Sequence, residues 1–400
     1  MVYEVMLPRF ISKTSIGFSL TGRLYSTRIG SLISTGYLTP FSEQPLDVRE
    51  RILLSWHKSW LPLWPTLART FISMGKAFWS QSDNLLEQIS DYKTSRENPQ
   101  VIPGPTVNFD FIQPDSQLEA DVVIVGSGCG GGVCAKVLSE AGYRVLVVDK
   151  GYYFPPNQLP LPIGQLNFIL QGGGLMTTVD GSVAVVAGSA WGGGGSANYG
   201  VSLKLQDVVR QEWADAGLRF FSSSDYQDSL TRVCDFLGVS DAYVRHNHGN
   251  MILLEGAQKL GWRTILCPQN SGGAEHNCGS SCALGCREGR KQGPAVSWLP
   301  TAAKFGTRFM EGFEVSKILL ENKDGVKRAF GVEGMWTPKH ETTGADPKNR
   351  RLVRISAKKV IVASGALNTP LLLMKSGLKV RLYQVSKLWY NYSTNLWLES

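Results

Sequence analysis

The spacing of apolar and polar residues changes several times along the chain. Residues 1–119 have a helix-like, polar-aromatic pattern, and residues 120–200 alternate apolar runs of strand length with glycine turns and helix-like stretches. Residues 201–300 are mixed, residues 301–379 are again rich in strand-like runs, and residues 380–400 change character once more. Strands alternating with helices predict an α/β fold with a parallel sheet, preceded by a helical N-terminal region.

The N-terminal region is rich in tryptophan. Under a tenth of the chain holds four of the eleven tryptophans, namely Trp56, Trp60, Trp64 and Trp79. In a continuous helix, the first three would share one face because they are four residues apart. Pro62 and Pro65 would interrupt such a helix, so two shorter helices are predicted.

Two interpretations of this region remain open. Residues 1–82 contain nine Lys/Arg and four Asp/Glu, and aromatic residues with a basic excess are typical of helices that lie in a membrane interface. Aromatic stripes are also typical of buried helical layers. The region is therefore either a helical layer packed on the main domain or a membrane-surface segment.

The clearest motif begins after the first strand-like run. An apolar run of strand length starts at Asp121 and ends at Val125, a glycine turn follows at 126–131, helix-like sequence extends to 141, and a second strand-like run occupies 144–149. This order predicts a dinucleotide site in which the pyrophosphate meets the free N–H groups of a helix N-terminus.

Three glycines and one aspartate of this motif each have a physical role. Gly126 allows a sharp turn, Gly128 a close approach of the backbone to pyrophosphate, and Gly131 close packing of helix on strand. Asp149 follows 23 residues after Gly126, where a carboxylate accepts hydrogen bonds from a ribose. The motif alone does not distinguish FAD from NAD.

Two later segments make that distinction. Residues 188–200 contain four consecutive glycines flanked by Trp191 and Asn198, which suits backbone contact along a flat ring or a diphosphate. Residues 360–365 form a strand-like run that would complete the sheet, and Thr369 with Pro370 predicts a helix start.

Together the three segments resemble the FAD-binding signatures of the glucose-methanol-choline (GMC) oxidoreductases. Further segments at 246–250, 268–278 and 291–300 resemble the long-chain fatty alcohol oxidases of fungi and plants, and the resemblance covers roughly 40–379. It implies FAD as cofactor. It also implies a domain boundary near residue 120, an FAD-binding domain over 120–379 with a cap-like insertion at about 201–300, and a divergent tail over 380–400.

The resemblance assigns cofactor-binding roles to individual residues of this chain. The pyrophosphate turn corresponds to Gly126, Ser127, Gly128 and Gly131, and the ribose acid with its neighbour corresponds to Asp149 and Lys150. The segment against the flavin corresponds to Gly193, Gly194, Gly195, Ser196 and Asn198. The backbone that meets the adenine is that of Val315, and the third FAD segment corresponds to Gly365 and Ala366.

The implied reaction is oxidation of a long-chain fatty alcohol to the aldehyde, with hydride transfer to the flavin N5 and O2 as acceptor. In the family, the base is a histidine located after the third FAD segment, whereas no histidine here follows His340. We therefore assign no catalytic residue, and we expect the substrate-binding and catalytic domain to be absent and the chain to be inactive by itself. The alternatives are a non-catalytic FAD-binding fragment and a flavin dehydrogenase that uses another acceptor.

The charge and the cysteines restrict the partners. The formal charge is +8, but no Lys/Arg run with interleaved aromatics occurs, so we predict no nucleic acid partner. Seven irregularly spaced cysteines favour an intracellular, reducing compartment, and the resemblance adds the peroxisome or the endoplasmic reticulum. Cys278, Cys282 and Cys286, with His276, could bind zinc or an iron–sulfur cluster. Because their spacing is not CxxC, we predict a packed or redox-active loop and no metal.

Overall fold

The computed structural model describes residues 27–61, 64–65, 67–69, 72, 102–114, 118–162, 165–174, 176–177, 183–246, 248–275, 282–339 and 349–378. The chain separates into two compact units, Met1–Tyr92 and Lys93–Ser400. Across the described residues, we find no helix with both the length and the apolar character needed to cross a membrane.

Among the described residues of the first unit, helix α1 spans Arg28–Thr35 and helix α2 spans Leu46–His57, with a 3₁₀ turn at Phe41–Glu43 between them. Its core consists of Ile52, Trp56 and Ala68, with Trp64 packed against them. The Trp56 and Trp64 rings lie 5.2 Å apart.

The prediction of two shorter helices is confirmed, because α2 ends at His57 and helical residues resume at Trp64. The tryptophans do not share one helix face, since Trp60 lies outside α2 and is 88% exposed. The Lys58 N–H closes the helix on the Leu54 carbonyl, and the chain then turns before Pro62. Trp79 lies outside the described residues.

The second unit is built on a six-stranded sheet of strand order β7-β2-β1-β10-β9-β8. Two short antiparallel pairs, β3 with β4 and β5 with β6, lie outside it. In chain order, the ten strands are Leu118–Val125 (β1), Val145–Val148 (β2), Met176–Thr177 (β3), Ala184–Val185 (β4), Val239–Ser240 (β5), Gln269–Asn270 (β6), Arg308–Met310 (β7), Phe313–Lys323 (β8), Val326–Trp336 (β9) and Arg351–Val362 (β10).

In the described part of this unit, seven helices accompany these strands. They are Cys129–Glu140 (α3), Leu166–Ile169 (α4), Asp207–Asp215 (α5), Ser224–Phe236 (α6), His248–Lys259 (α7), Trp298–Lys304 (α8) and Gly365–Lys375 (α9). Shorter 3₁₀ turns occur at Pro156–Gln158, Gln171–Gly174, Gly193–Gly195, Arg219–Ser222 and Cys282–Leu284.

Strands β7, β2, β1 and the second half of β10 are parallel, as the sequence predicts. Successive side chains of a strand point to opposite faces, and both faces are buried here. Val123 and Leu146 belong to the core on one face, together with Leu372 of α9. Ile124 and Val147 belong to the core on the other face, together with Leu299 of α8.

The other half of the sheet is antiparallel, so the predicted parallel sheet is in fact mixed. Strands β8 and β9 form a hairpin, and β9 pairs with the first half of β10. The hairpin turns at Asp324 and Gly325, which both have positive φ, at 55° and 76°. This Asp-Gly pair forms a two-residue connection, which joins antiparallel strands.

The last helix begins earlier than predicted. Helix α9 starts at Gly365 and encloses Pro370, so a start at Thr369 with Pro370 in the first position is wrong. Gly365 has φ +83°, a conformation that glycine adopts without strain, and it allows the helix to begin directly after β10. Residues 379–400, including the predicted divergent tail, lie outside the described residues.

Candidate dinucleotide-binding site

The glycine turn (residues 126–131) connects β1 to α3 at the carboxyl end of the parallel strands. Gly126 has φ +108°, and a Cβ placed on it would lie 2.3 Å from the Ala363 carbonyl oxygen. A Cβ on Gly131 would lie 1.8 Å from the Gly126 carbonyl oxygen. Both positions therefore require glycine on steric grounds, as the motif predicts.

Gly128 is different because the space beside it is open. No atom lies within 4 Å of a Cβ placed there. Gly128 is also the N-cap of α3, and the first turn of that helix has neither a side-chain cap nor an acidic residue. Uncapped N–H groups at the positive end of a helix bind anions. The turn therefore fits the pyrophosphate of a dinucleotide.

Asp149 fixes the shape of the turn. Its Oδ2 accepts hydrogen bonds from the Ser127 backbone N–H at 2.7 Å and from the Ser127 hydroxyl at 2.6 Å. Its Oδ1 accepts one from the Gly151 N–H at 2.8 Å. Burial raises the pKa of the Asp149 carboxyl, and these hydrogen bonds oppose the rise. The role in binding a ribose stays a prediction, to which the structure adds this contact with the turn.

The glycine loop (residues 191–200) packs directly on the glycine turn. The Gly192 N–H donates to the Ser127 hydroxyl at 2.8 Å. A Cβ on Gly193 would lie 3.2 Å from the Cα of Gly128, and a Cβ on Gly195 would lie 2.9 Å from the Sγ of Cys129. Two segments that are about 65 residues apart in sequence thus form one continuous surface.

Side chains within the glycine loop hold its conformation. The Asn198 amide donates to the carbonyls of Gly194 and Gly195, each at 2.8 Å, and its oxygen accepts from the Gly200 N–H at 2.7 Å. The Ser196 hydroxyl donates to the Trp191 carbonyl at 2.9 Å. These contacts make the loop a shaped surface rather than a flexible linker.

The third predicted segment lies beside the turn. The Ala363 N–H donates to the Val125 carbonyl at 2.8 Å, which brings the end of β10 and the start of α9 next to Gly126. The first residue of α9 is Gly365, beside which no atom lies within 4 Å of a placed Cβ. Ala366 follows it in the first turn of α9.

Gln171 connects this segment to Lys150. Its Oε1 accepts hydrogen bonds from the Lys150 ammonium at 3.3 Å and from the Asn368 amide at 3.1 Å. Gln171 was not predicted from the sequence, although the three glycines that follow it indicate a backbone with positive φ. Gly151 was not predicted either, although a Cβ there would lie 2.3 Å from the Ser189 carbonyl oxygen.

Val315 belongs to β8, where it pairs with Gly334 and packs against the core. The strand is joined to the acid end of β2, because the Phe313 N–H donates to the Asp149 carbonyl at 2.8 Å. Contact of the Val315 backbone with an adenine stays a prediction.

The cysteine group is only partly described. Cys278 and His276 lie outside the described residues, whereas Cys286 is buried and its Sγ accepts a hydrogen bond from the Lys291 N–H at 3.4 Å. Burial raises the pKa of the Cys286 thiol. Within the part of the chain that the structure describes, no three His, Cys, Asp or Glu side chains are grouped to hold a metal ion.

None of the described histidines belongs to the glycine turn or to the glycine loop. His57 ends α2 and His248 begins α7. Both ring nitrogens of His246 are buried without a hydrogen-bond partner. His340 lies outside the described residues. The assignment of no catalytic residue stays a prediction.

A cleft of about 770 Å³ is lined by residues of 102–107 and 288–296, together with Arg245 and Glu275. None of its lining residues belongs to the predicted FAD set. The candidate dinucleotide site is therefore the surface of the glycine turn and the glycine loop.

Comparison with known proteins agrees with this geometry. A GMC oxidoreductase family model matches residues 166–387, and an FAD-binding domain model matches residues 121–157. The long-chain-alcohol oxidases FAO1 and FAO4A of Arabidopsis thaliana are 32% and 31% identical over 94% and 89% of this chain. The chain spans about half the length of these relatives, 56% in both cases.

Among solved structures, a formate oxidase of Aspergillus oryzae is similar to 67% of this chain and 48% of its own, with 16% identity and a TM-score of 0.47. The family model covers more than half of this chain, and the FAD-binding model coincides with the glycine turn and β2. The chain belongs to the GMC oxidoreductase family, and its cofactor is FAD.

Proposed function

We propose that this chain is the FAD-binding portion of an enzyme that oxidises long-chain fatty alcohols to aldehydes with O2 as acceptor. The observation that carries the proposal is the packing of the glycine loop on the glycine turn. It creates a continuous glycine-lined surface that begins at an uncapped helix N-terminus. A surface of this kind suits a ligand with a diphosphate at one end and a flat ring at the other.

The residues of the chain bind and orient the cofactor in this proposal. The N–H groups at the start of α3 receive the pyrophosphate, while Asp149 and Ser127 hold the turn in place. Residues 193–198 lie along the flavin ring, and the Asn198 amide holds the carbonyls of Gly194 and Gly195. When bound, FAD supplies the acceptor of the hydride that leaves the carbinol carbon.

The alcohol class and the acceptor rest on similarity. The Arabidopsis relatives are named long-chain-alcohol oxidases, and the similarity to them extends over most of this chain. The 400 residues correspond to about half of those relatives. We therefore propose that they hold FAD but do not by themselves turn over alcohol.

The first experiment uses the purified 400-residue chain. After loading with FAD and removal of free cofactor, the expected result is one retained flavin per chain and no peroxide from hexadecanol. Loss of all flavin during desalting would overturn the cofactor site. Peroxide formed in proportion to enzyme and alcohol would overturn the proposed inactivity.

The substrate class is tested on the protein isolated from the organism that produces it. The expected result is peroxide release with hexadecanol and little with ethanol. Reduction of an artificial electron acceptor without peroxide would instead identify a dehydrogenase. Equal rates with ethanol and hexadecanol would exclude a long-chain preference.

We also propose that the first unit, Met1–Tyr92, which we call the helical unit, associates with a membrane surface. Helix α1 buries its small residues Gly30, Ser31 and Ser34, and the Trp56 indole N–H donates to the Ser34 carbonyl at 2.9 Å. Its apolar side chains point outward, with Ile29 72% and Ile33 74% exposed. An exposed apolar helix face in a region of basic excess suits an anionic bilayer interface.

Vesicle flotation tests this second proposal. The wild-type chain is expected to float with phosphatidylserine-containing vesicles, and the variant I29D/I33D is expected to stay in the soluble fraction. The control V208D changes an apolar residue of α5 that is 62% exposed. Equal flotation of I29D/I33D and the wild type would contradict the proposal.

A further inference from the structure

Lys291 is a buried lysine behind the glycine loop. It is 8% exposed, and its Nζ donates hydrogen bonds to three backbone carbonyls. Two of them belong to the glycine loop, Ser196 and Asn198, both at 2.7 Å. The third is Cys282, at 2.6 Å, in the 3₁₀ turn Cys282–Leu284. One side chain thus joins two segments that are distant in sequence.

The number of these hydrogen bonds defines the protonation state. A neutral amine has two N–H donors, whereas an ammonium group has three. Donation to three carbonyls therefore requires the charged form of Lys291. Hydrogen bonds from a charged donor are shorter and stronger than neutral ones.

The surrounding contacts show that this support is local to the glycine loop. A Cβ on Gly293 would lie 2.3 Å from the Gly195 carbonyl oxygen, so the chain just after Lys291 runs against the loop. The Gln292 N–H donates to the Asn270 carbonyl, and the Asn270 N–H donates to the Gly200 carbonyl. The residues around Lys291 therefore pack against the glycine loop.

We propose that Lys291 is a positioning residue for the flavin, which fixes the carbonyls of Ser196 and Asn198 so that the glycine loop matches the flat ring. The inference rests on the proposed contact between this loop and the flavin. It makes no use of Lys291 as a group that touches the substrate. Its effect is exerted through the backbone of the glycine loop.

The test compares the binding of FAD and ADP to apoprotein. ADP occupies only the glycine turn in this proposal, whereas FAD occupies the turn and the loop. The variant K291M removes the lysine donor from the Ser196, Asn198 and Cys282 carbonyls, so FAD binding is expected to weaken at least about tenfold, with ADP binding nearly unchanged. Amide hydrogen exchange of residues 192–200 in the apoprotein is expected to accelerate.

The control is R290M, which removes a neighbouring positive charge from an exposed side chain. It is expected to leave FAD binding, ADP binding and exchange unchanged. Equal weakening of FAD and ADP in K291M, or no weakening of either, would overturn the positioning role. Wild-type protein that binds FAD no more tightly than ADP would instead overturn the flavin contact itself.

A second variant covers the case in which K291M does not fold. K291R keeps the positive charge, but a planar guanidinium cannot direct three N–H groups at the same three carbonyls. Its FAD affinity is expected to fall between those of the wild type and K291M, with ADP affinity retained. FAD binding by K291R equal to that of the wild type would contradict the role of the three-carbonyl geometry.

Discussion

At the scale of single residues, three of the glycines in the turn differ in what they exclude. Gly126 and Gly131 are surrounded by protein backbone, whereas Gly128 faces open space. A side chain at the first two positions conflicts with the fold, and one at Gly128 conflicts with a ligand. Stability and cofactor binding are therefore separable within one motif.

The variants G131A and G128A test this separation. G131A is expected to destabilise the apoprotein strongly, because the new Cβ would lie 1.8 Å from the Gly126 carbonyl oxygen. G128A is expected to leave thermal unfolding of the apoprotein nearly unchanged and to weaken FAD binding. The control G256A lies in α7 with open space around it and is expected to be neutral or slightly stabilising. Normal FAD binding by G128A would show that the pyrophosphate does not approach the turn.

The contact between Asp149 and Ser127 gives a second prediction at this scale. D149N places an amide donor among three N–H and O–H donors, so a loss of about 1–3 kcal/mol in unfolding free energy is expected. S127A removes the hydroxyl that joins Asp149 to Gly192. In denaturant titrations of the apoprotein, the double variant is expected to lose less than the sum of the two single losses. Strict additivity without FAD would exclude this coupling.

At the scale of elements, the Asp-Gly turn determines the direction of two strands, and the end of α2 determines which tryptophans are buried. The spacing of apolar residues in the sequence predicts neither. The hairpin at Asp324 and Gly325 makes β8 and β9 antiparallel, and β10 therefore joins a parallel half of the sheet to an antiparallel half. Helix α2 ends at His57, so Trp56 is buried while Trp60 is exposed. The consequences of both can be measured.

The two tryptophans have very different expected effects on the helical unit. W56A removes a buried ring and its hydrogen bond to the Ser34 carbonyl, so a loss of about 3–5 kcal/mol is expected. W60A removes an exposed ring and is expected to change stability by less than about 0.5 kcal/mol. Thermal unfolding followed by circular dichroism compares them. Similar melting temperatures for the two variants would contradict the packing of α2.

Asp121 connects β1 to its two neighbours in the sheet. It forms ion pairs with Arg144 at 3.1 Å and Lys358 at 2.9 Å, and these hydrogen bonds hold the pKa of the Asp121 carboxyl well below its ordinary value of 3.8. A lowered pKa in the folded state contributes stability above the unfolded pKa. This contribution is lost as pH falls through the folded value.

The variant D121N is therefore expected to be less stable than the wild type at neutral pH and similar to it in strong acid. Because Arg144 and Lys358 are largely exposed, the difference is also expected to shrink with added salt. Unfolding measured against pH below about 5 checks this. The control D207N alters an ion pair whose aspartate is 94% exposed. A wild-type advantage that grows in acid would contradict the sign.

At the scale of the whole molecule, two units with separate cores occur in one chain. The candidate FAD surface belongs entirely to the second unit, Lys93–Ser400. A ligand stabilises only the unit that binds it, so FAD is expected to shift one unfolding transition and leave the other in place.

Calorimetry with and without FAD checks this expectation. At a free FAD concentration of about 100 times Kd, the second unit is expected to gain about 2.7 kcal/mol of unfolding free energy. W56A is expected to shift only the other transition. A single transition that moves with both FAD and W56A would show that the units unfold together.

The sequence by itself determined the glycine turn, the strands beside it, the FAD-type motif and the family. These features depend on local sterics and on apolar patterns that extend over a few residues, such as Gly126 to Gly131 after β1. A break in the helix of the N-terminal region was also predicted from nearby residues, Pro62 and Pro65, although α2 already ends at His57.

Only the tertiary structure decided which distant groups meet. The contacts of Ser127 with Gly192, of Gln171 with Lys150 and Asn368, and of Lys291 with residues 196–198 all close long stretches of chain. Such contacts depend on the packing of the whole sheet rather than on the residues between the partners. For the same reason, the burial of Lys291 could not be predicted from the sequence, because it depends on tertiary contacts.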